Sequence, residues 1–135
     1  MKILLVEDSL ILRDRLRNII NAIPDVALVA ATDNEDDARC YLEKYRPDVA
    51  VIDLRLRRGS GFSVIEHIGR AYMETIVIVL TNLAQPEYRA KCMELGAHYF
   101  FDKSKGTGAF TKLLAELSKT GAERVGDVPA NDGGR

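Results

Sequence analysis

The sequence predicts a doubly wound α/β domain, a five-stranded parallel sheet covered by five helices. Three observations carry that prediction. Short apolar runs alternate five times with segments of helical periodicity along the 135-residue chain, the pattern of successive right-handed βαβ units. The run Val49-Ala50-Val51-Ile52 is apolar without a break, as expected of a strand buried on both faces. The residues that follow the runs include carboxylates, a hydroxyl and a lysine. They fall where an open α/β sheet places its ligands, beyond the carboxyl ends of its strands.

Taken in order, Lys2 to Val6 forms the first strand and ends at Glu7-Asp8. Ser9 caps a helix running to about Ala22, with Pro24 closing it. Its core stripe is Leu12, Leu16, Ile19, Ile20 and Ile23, spaced as one helical face. Val26 to Ala31 is a second strand. The next helix starts near Asn34, with Thr32 and Glu35 at capping-box spacing, and buries Ala38, Leu42 and Tyr45 before Pro47 stops it. The central strand then delivers Asp53 and breaks into an Arg- and Gly-rich loop. From Gly61 a third helix buries Val64, Ile65 and Ile68 and runs to about Tyr72. Thr75 to Thr81 is the most strand-like run in the chain. Pro86 suits the first turn of a fourth helix, which Gly96 terminates. Ala97 to Phe101 makes a short fifth strand that leads into Asp102-Lys103. The fifth helix, about Thr107 to Lys119, buries Phe110, Leu113, Leu114 and Leu117. Residues 1–120 thus read as one domain. The polar tail 121–135 has no periodicity and is expected to be disordered.

Composition narrows the function classes. A net charge of −1 gives no electrostatic case for nucleic acid or an anionic membrane. The first apolar run is too short for a signal peptide, and no stretch approaches the roughly 20 apolar residues of a membrane span. Cys40 and Cys92 fall inside helices without metal-type spacing and read as buried reduced thiols. A cytoplasmic protein is expected. The histidines His67 and His98 are isolated, and no glycine-rich nucleotide fingerprint occurs.

The strand tips hold the chemistry. Strand one gives Glu7 and Asp8, strand three Asp53, strand four Thr81 and strand five Lys103. Three carboxylates in one cleft repel each other, so they hold a proton or bind a cation. Oxygen-only donors suit Mg²⁺, which keeps waters and bridges to phosphate. A lysine and a hydroxyl meet the other oxygens of a phosphoryl group. A carboxylate can itself be the nucleophile, giving an acyl phosphate. Read singly, each residue has a plainer use: Asp53 caps a turn, Thr81 ends a strand, and Lys103 is a solvated loop lysine. Together they suggest phosphoryl transfer onto an aspartate. Leu10 and Ile11 lie about 130° from the centre of the first helix's stripe, at about 100° per residue. Both are expected to be exposed beside the cleft, as a docking spot for a phosphodonor.

With these residues in place the chain resembles the receiver domains of two-component response regulators, over residues 2 to 119. The matching motifs are Glu7-Asp8, Asp53, Gly61 eight residues later, Thr81, and Gly96-Ala97 followed by Phe100 and Lys103. The resemblance implies a flavodoxin-like strand order 2-1-3-4-5. It also implies that Asp53 accepts a phosphoryl group from a sensor histidine kinase or a histidine phosphotransfer protein. Mg²⁺ would be held by Glu7, Asp8, Asp53 and the backbone carbonyl of Arg55. Lys103 would pair with a phosphoryl oxygen, Thr81 would swing toward the phosphate, and Phe100 would follow by turning inward. The face of helix four, strand five and helix five would then meet a downstream protein or a second copy of the chain. No nucleic acid, membrane or further enzymatic turnover is implied for this domain.

Four positions depart from the family pattern. Glu7 stands where Asp is commoner, and its extra length allows a water between it and a metal. Arg57 and Ser104 replace prolines, and Asn82 replaces a small residue. A cis bond before Ser104 would cost roughly 3–4 kcal/mol, which leaves the Lys103–Ser104 bond open between the two isomers. Two rival readings are weaker. An aspartate-based Mg²⁺ phosphatase needs a general acid soon after Asp53, and no carboxylate occurs before Glu66. The input half of a DNA-binding regulator needs a helix-turn-helix domain, for which residues 120–135 are too few.

Overall fold

The computed structural model describes residues 1–121. Five strands, β1 (Lys2–Val6), β2 (Ala27–Thr32), β3 (Val49–Ile52), β4 (Ile76–Thr81) and β5 (Tyr99–Asp102), alternate with five helices. The helices are α1 (Leu10–Asn21), α2 (Glu35–Tyr45), α3 (Gly61–Ala71), α4 (Pro86–Leu95) and α5 (Gly108–Lys119). A single 3₁₀ turn, Lys103–Lys105, precedes α5. The sheet is wholly parallel with order β2-β1-β3-β4-β5, as expected.

Side chains alternate across a strand, and this chain uses the alternation to build two cores. Leu4, Val6, Ala50, Ile52, Val77, Val79 and Phe100 face the layer of α2, α3 and α4. Ile3, Leu5, Val49, Val51, Ile76, Ile78, Leu80 and Phe101 face α1 and α5. On that second face Phe101 and Phe110 meet edge-to-face at 6.3 Å, a favoured geometry for aromatic rings. Strands β3 and β4 are buried along their whole length, whereas the edge strand β2 is only half-buried over most of its residues.

The element ends follow the sequence with two corrections, and Tyr45, expected to be buried in α2, is only half-buried. Ser9 caps α1 by accepting from the Leu12 amide at 3.2 Å, as expected. The Thr32/Glu35 capping box does not form. Asn34 is the cap of α2, accepting from the Asp37 amide at 2.9 Å, while the Thr32 hydroxyl accepts from the Asn34 amide at 3.3 Å. Thr32 is the last residue of β2, so the helix can begin only after the chain has turned out of the sheet. The second correction concerns Cys40, which is exposed. It sits two residues after Ala38, on the side of α2 away from the buried Ala38 and Leu42. Cys92 is buried as expected, and desolvation pushes its thiol up to about 11.

All peptide bonds among the described residues are trans, so the Lys103–Ser104 bond is trans. The Ser104 amide and hydroxyl both donate to Asp102 Oδ1, at 2.9 and 2.7 Å. A proline has no amide hydrogen to give that capping bond. Apart from Gly121, the tail expected to be disordered lies outside the described residues. No helix among the described residues is long and apolar enough to cross a membrane.

Gly61 shows why the start of α3 tolerates no side chain. Its amide donates to the Leu54 carbonyl at 3.0 Å. A Cβ there would collide with the Asp53 carbonyl oxygen and stand 2.7 Å from Leu54 Cα. Both neighbours are backbone, so neither can rotate away. Gly61→Ala should therefore destabilise the fold by about 1–3 kcal/mol and shift the backbone amide resonance of Asp53. A denaturation midpoint and an Asp53 resonance equal to wild type would contradict this packing.

Candidate functional site at the carboxyl edge of the sheet

Strand register brings the site residues together. Val6, Ile52 and Val79 lie in one row across β1, β3 and β4. The ladder continues one residue further: the Glu7 amide donates to the Thr32 carbonyl at 2.8 Å, and the Asp53 amide to the Val6 carbonyl at 2.9 Å. Glu7 and Asp53 thus leave the sheet side by side. Thr81 pairs with Asp102 on the last rung of β4 and β5, so Lys103 leaves the sheet immediately beyond it.

The Lys103 ammonium bridges the two acids. Its Nζ lies 2.9 Å from Glu7 Oε1 and 2.8 Å from Asp53 Oδ2. Backbone amides hold the remaining carboxylate oxygens. Ser9 donates to Glu7 Oε2 at 2.9 Å, and Leu54 donates to Asp53 Oδ1 at 2.8 Å. The Glu7 side chain is only 2% exposed. Burial raises its pKa, the hydrogen bonds from Lys103 and Ser9 pull it partly back, and the Asp53 charge raises it further. For Lys103, burial by itself lowers the pKa, but the bonds and charges of Asp53 and Glu7 outweigh it and the net shift is upward. The lysine is held as a cation by two acids.

Above this bridge opens a cavity of about 190 Å³. Its walls include Glu7, Asp8, Asp53, Arg55, Thr81 and Lys103, together with Asn82. The Thr81 side chain is fully buried, and its hydroxyl accepts from the Leu83 amide at 3.1 Å. A larger cavity, about 270 Å³, lies at the opposite end of the sheet beside Arg46, Tyr72 and Met73. It carries no comparable set of acids bridged by a cation.

The remaining expected residues lie outside the cavity walls. Phe100 is 2% exposed and packs in the core beneath α2, α3 and α4. Its ring is therefore already inward in this conformation. Leu10 and Ile11 are exposed on the first turn of α1, 62% and 80% respectively, directly after Ser9 on the cavity rim. Both histidines have structural work elsewhere: His98 Nδ1 accepts from the Val77 amide at 2.9 Å, and His67 Nδ1 lies 3.0 Å from an Arg39 guanidinium nitrogen.

The donor set suits a hard divalent cation, because the cavity offers carboxylate and backbone oxygens and no sulfur or imidazole. Among the described residues, no three His, Cys, Asp or Glu side chains converge into a preformed cage. Repulsion between Glu7 and Asp53 is relieved by Lys103, and Asp8 stays exposed at the rim. The three acids expected at the strand ends, Glu7, Asp8 and Asp53, all line this cavity, but the spacing does not show the lysine between Glu7 and Asp53. Sequence reasoning also missed the contacts made by Glu35, whose side chain reaches the loop after Asp53 by accepting from the Ser60 amide at 3.1 Å. Nothing in the spacing of Glu35 and Ser60 signals that contact, which depends on the packing of two loops.

Comparison with known proteins agrees with this geometry. Residues 3–115 match the model of the response regulator receiver domain family. A protein-glutamate methylesterase/protein-glutamine glutaminase of Photorhabdus laumondii is 30% identical over 133 residues, covering 94% of this chain and 38% of that protein. The chain thus spans about two fifths of the length of that relative. Among solved structures, a LuxR-family DNA-binding response regulator from Staphylococcus aureus has 25% identity and a TM-score of 0.74, covering 88% of this chain and 93% of its own. The isolated REC domain of RcsB from Salmonella enterica serovar Typhimurium, with the phosphomimetic BeF₃⁻, has a TM-score of 0.81 at 22% identity, covering 95% and 94%. By sequence, topology and the arrangement of its acidic edge, the chain belongs to the response regulator receiver domain family.

Proposed function

We propose that Asp53 is the phosphoacceptor of this receiver, taking its phosphoryl group from a phosphohistidine on a sensor kinase or phosphotransfer protein. The observation that carries the assignment is the Lys103 ammonium, 2.8 Å from Asp53 Oδ2 in a cavity open to solvent. A carboxylate oxygen of Asp53 attacks phosphorus as the P–N bond breaks, and the freed imidazole nitrogen takes a proton. Lys103 is then placed to give its charge to a phosphoryl oxygen. Glu7, Asp8, Asp53 and the Arg55 carbonyl would hold Mg²⁺, which supplies positive charge to the phosphoryl oxygens. Thr81 exchanges its Leu83 contact for the phosphate, and Phe100 reads out that change from the core below. The output passes to a downstream protein, or to a second copy of the chain, over α4, β5 and α5. Turnover is confined to phosphorylation and dephosphorylation of Asp53 itself, in the cytoplasm.

Leu10 and Ile11 form the docking spot for the donor. A histidine-bearing helix must lie across the cavity rim to hold its phosphoryl group in line with Asp53. Isolated exposed apolar residues are ordinary; two adjacent ones beside Ser9 and Asp8 are what singles out this turn.

Incubation with acetyl phosphate and Mg²⁺ should add one phosphoryl mass, and Asp53→Asn or chelation should abolish the gain. Labelling that survives both treatments would overturn the assignment. Replacing both Leu10 and Ile11 by serine should slow transfer from a phosphorylated histidine donor at least tenfold, while acetyl phosphate labelling stays at the wild-type rate, on the order of the cost of losing two interface anchors. Equal losses with both donors would count against docking and in favour of a role in the fold.

A further inference from the structure

We infer that Glu35, the first residue of α2, is a positioning residue for the loop after the phosphoacceptor and governs how firmly the Arg55 carbonyl is presented to a divalent cation. The inference rests on the reading of Asp53 and its cavity given above. The loop runs from Leu54 to Ser60 and is closed on itself by an antiparallel bridge between Arg55 and Ser60. Its outer side is stitched to the start of α2. The Glu35 amide donates to the Arg58 carbonyl and the Arg57 amide to the Asp33 carbonyl, both at 3.0 Å. A parallel bridge joins Asn34 to Arg58 between those bonds.

One side chain reaches from α2 to the residue paired with Arg55. Glu35 Oε1 accepts from the Ser60 amide at 3.1 Å. Its other oxygen, Oε2, accepts from both Arg39 Nε and Nη2, at 3.1 and 3.0 Å, so each carboxylate oxygen of Glu35 has a partner. Gly59 lies so close that a Cβ would collide with the Glu35 side chain, and its φ of +79° favours glycine. The Arg57–Asp33 ion pair at 3.4 Å is exposed and adds little.

The base of the loop has its own anchors, since Leu54 and Leu56 are buried in the core. Glu35 is therefore not needed to hold the chain in the fold. It is placed to hold the Ser60 side of the Arg55–Ser60 bridge still. Without it, binding a cation at the Arg55 carbonyl would first have to order the loop, and that entropy is lost from the affinity. Outer contacts that orient a metal ligand are typically worth about 10–100-fold in affinity.

The test is a Mg²⁺ titration of the full chain, starting metal-free and followed by the backbone amide shifts of Asp53, Arg55 and Ser60. Glu35→Ala should raise the Mg²⁺ dissociation constant about tenfold, the low end of that range. Glu35→Gln keeps an oxygen acceptor for the Ser60 amide and should stay within about twofold of wild type on the same scale. Gly59→Ala, which presses on Glu35 from the loop side, should weaken Mg²⁺ as Glu35→Ala does and covers the case in which the latter fails to fold. A wild-type dissociation constant in Glu35→Ala, or in Gly59→Ala if that is the variant that folds, overturns the inference. So does a loss in Glu35→Gln as large as in Glu35→Ala. If wild-type amides ignore Mg²⁺ altogether, the cavity reading itself fails, and that failure is visible before any variant is made.

Discussion

The structure turns on one ammonium group placed between two acids. Lys103 reaches Glu7 and Asp53 within 3 Å of each, and all three side chains are largely withdrawn from water. Such a bridge is a poor source of stability, because desolvating the ions costs about as much as their attraction returns. It is a strong constraint on geometry, since removing one member strands a buried charge at a cost of about 3–5 kcal/mol. The linkage follows from the same burial. Both Glu7 and Lys103 have raised pKa values, so both hold protons more tightly in the folded state. The contribution of Glu7 is complete below its ordinary pKa and lost as pH climbs through the raised one. That of Lys103 persists through neutrality and fails only above the ordinary lysine range.

The rest of the fold delivers these groups. A parallel sheet sends all its carboxyl ends to one edge, so residues far apart in sequence meet without long loops. The hydrophobic alternation that fills two cores also fixes the register, and the register sets Glu7 beside Asp53. Gly61 lets α3 start against the Asp53 carbonyl. Ser104 closes the turn after Lys103 through its amide, a solution that a proline could not supply. The cavity and the packing thus share the same few residues at the sheet edge.

Most of this architecture could be read from the sequence, because it depends on local patterns. Apolar runs, the Ser9 cap, Pro86 and the glycine at the end of α4 act within a few residues of themselves. Chain order also revealed the acids, the hydroxyl and the lysine, since each ends a strand. What stayed hidden depends on how separate segments meet. Cys40 is the exception: it reads as buried by composition, although the local helical phase set by Ala38 and Leu42 turns it outward. Thr32 and Glu35 have the spacing of a capping box, but Asn34 takes the cap and Glu35 is drawn across to Ser60. Repulsion among three carboxylates suggested a bound cation, whereas in this conformation a lysine fifty residues from Asp53 lies between two of them.

The central claim is that this bridged edge presents Asp53 as the nucleophile that forms an acyl phosphate. Borohydride reduces an acyl phosphate to the alcohol with release of phosphate, and so converts a phosphorylated aspartate to homoserine. Peptide mapping of the reduced, acetyl phosphate-treated chain measures the position directly. Homoserine at position 53 alone is the predicted result. Reduction at Asp8, at Glu7 (as its one-carbon-longer alcohol), or at no acid while phosphoryl mass is present, would contradict the account.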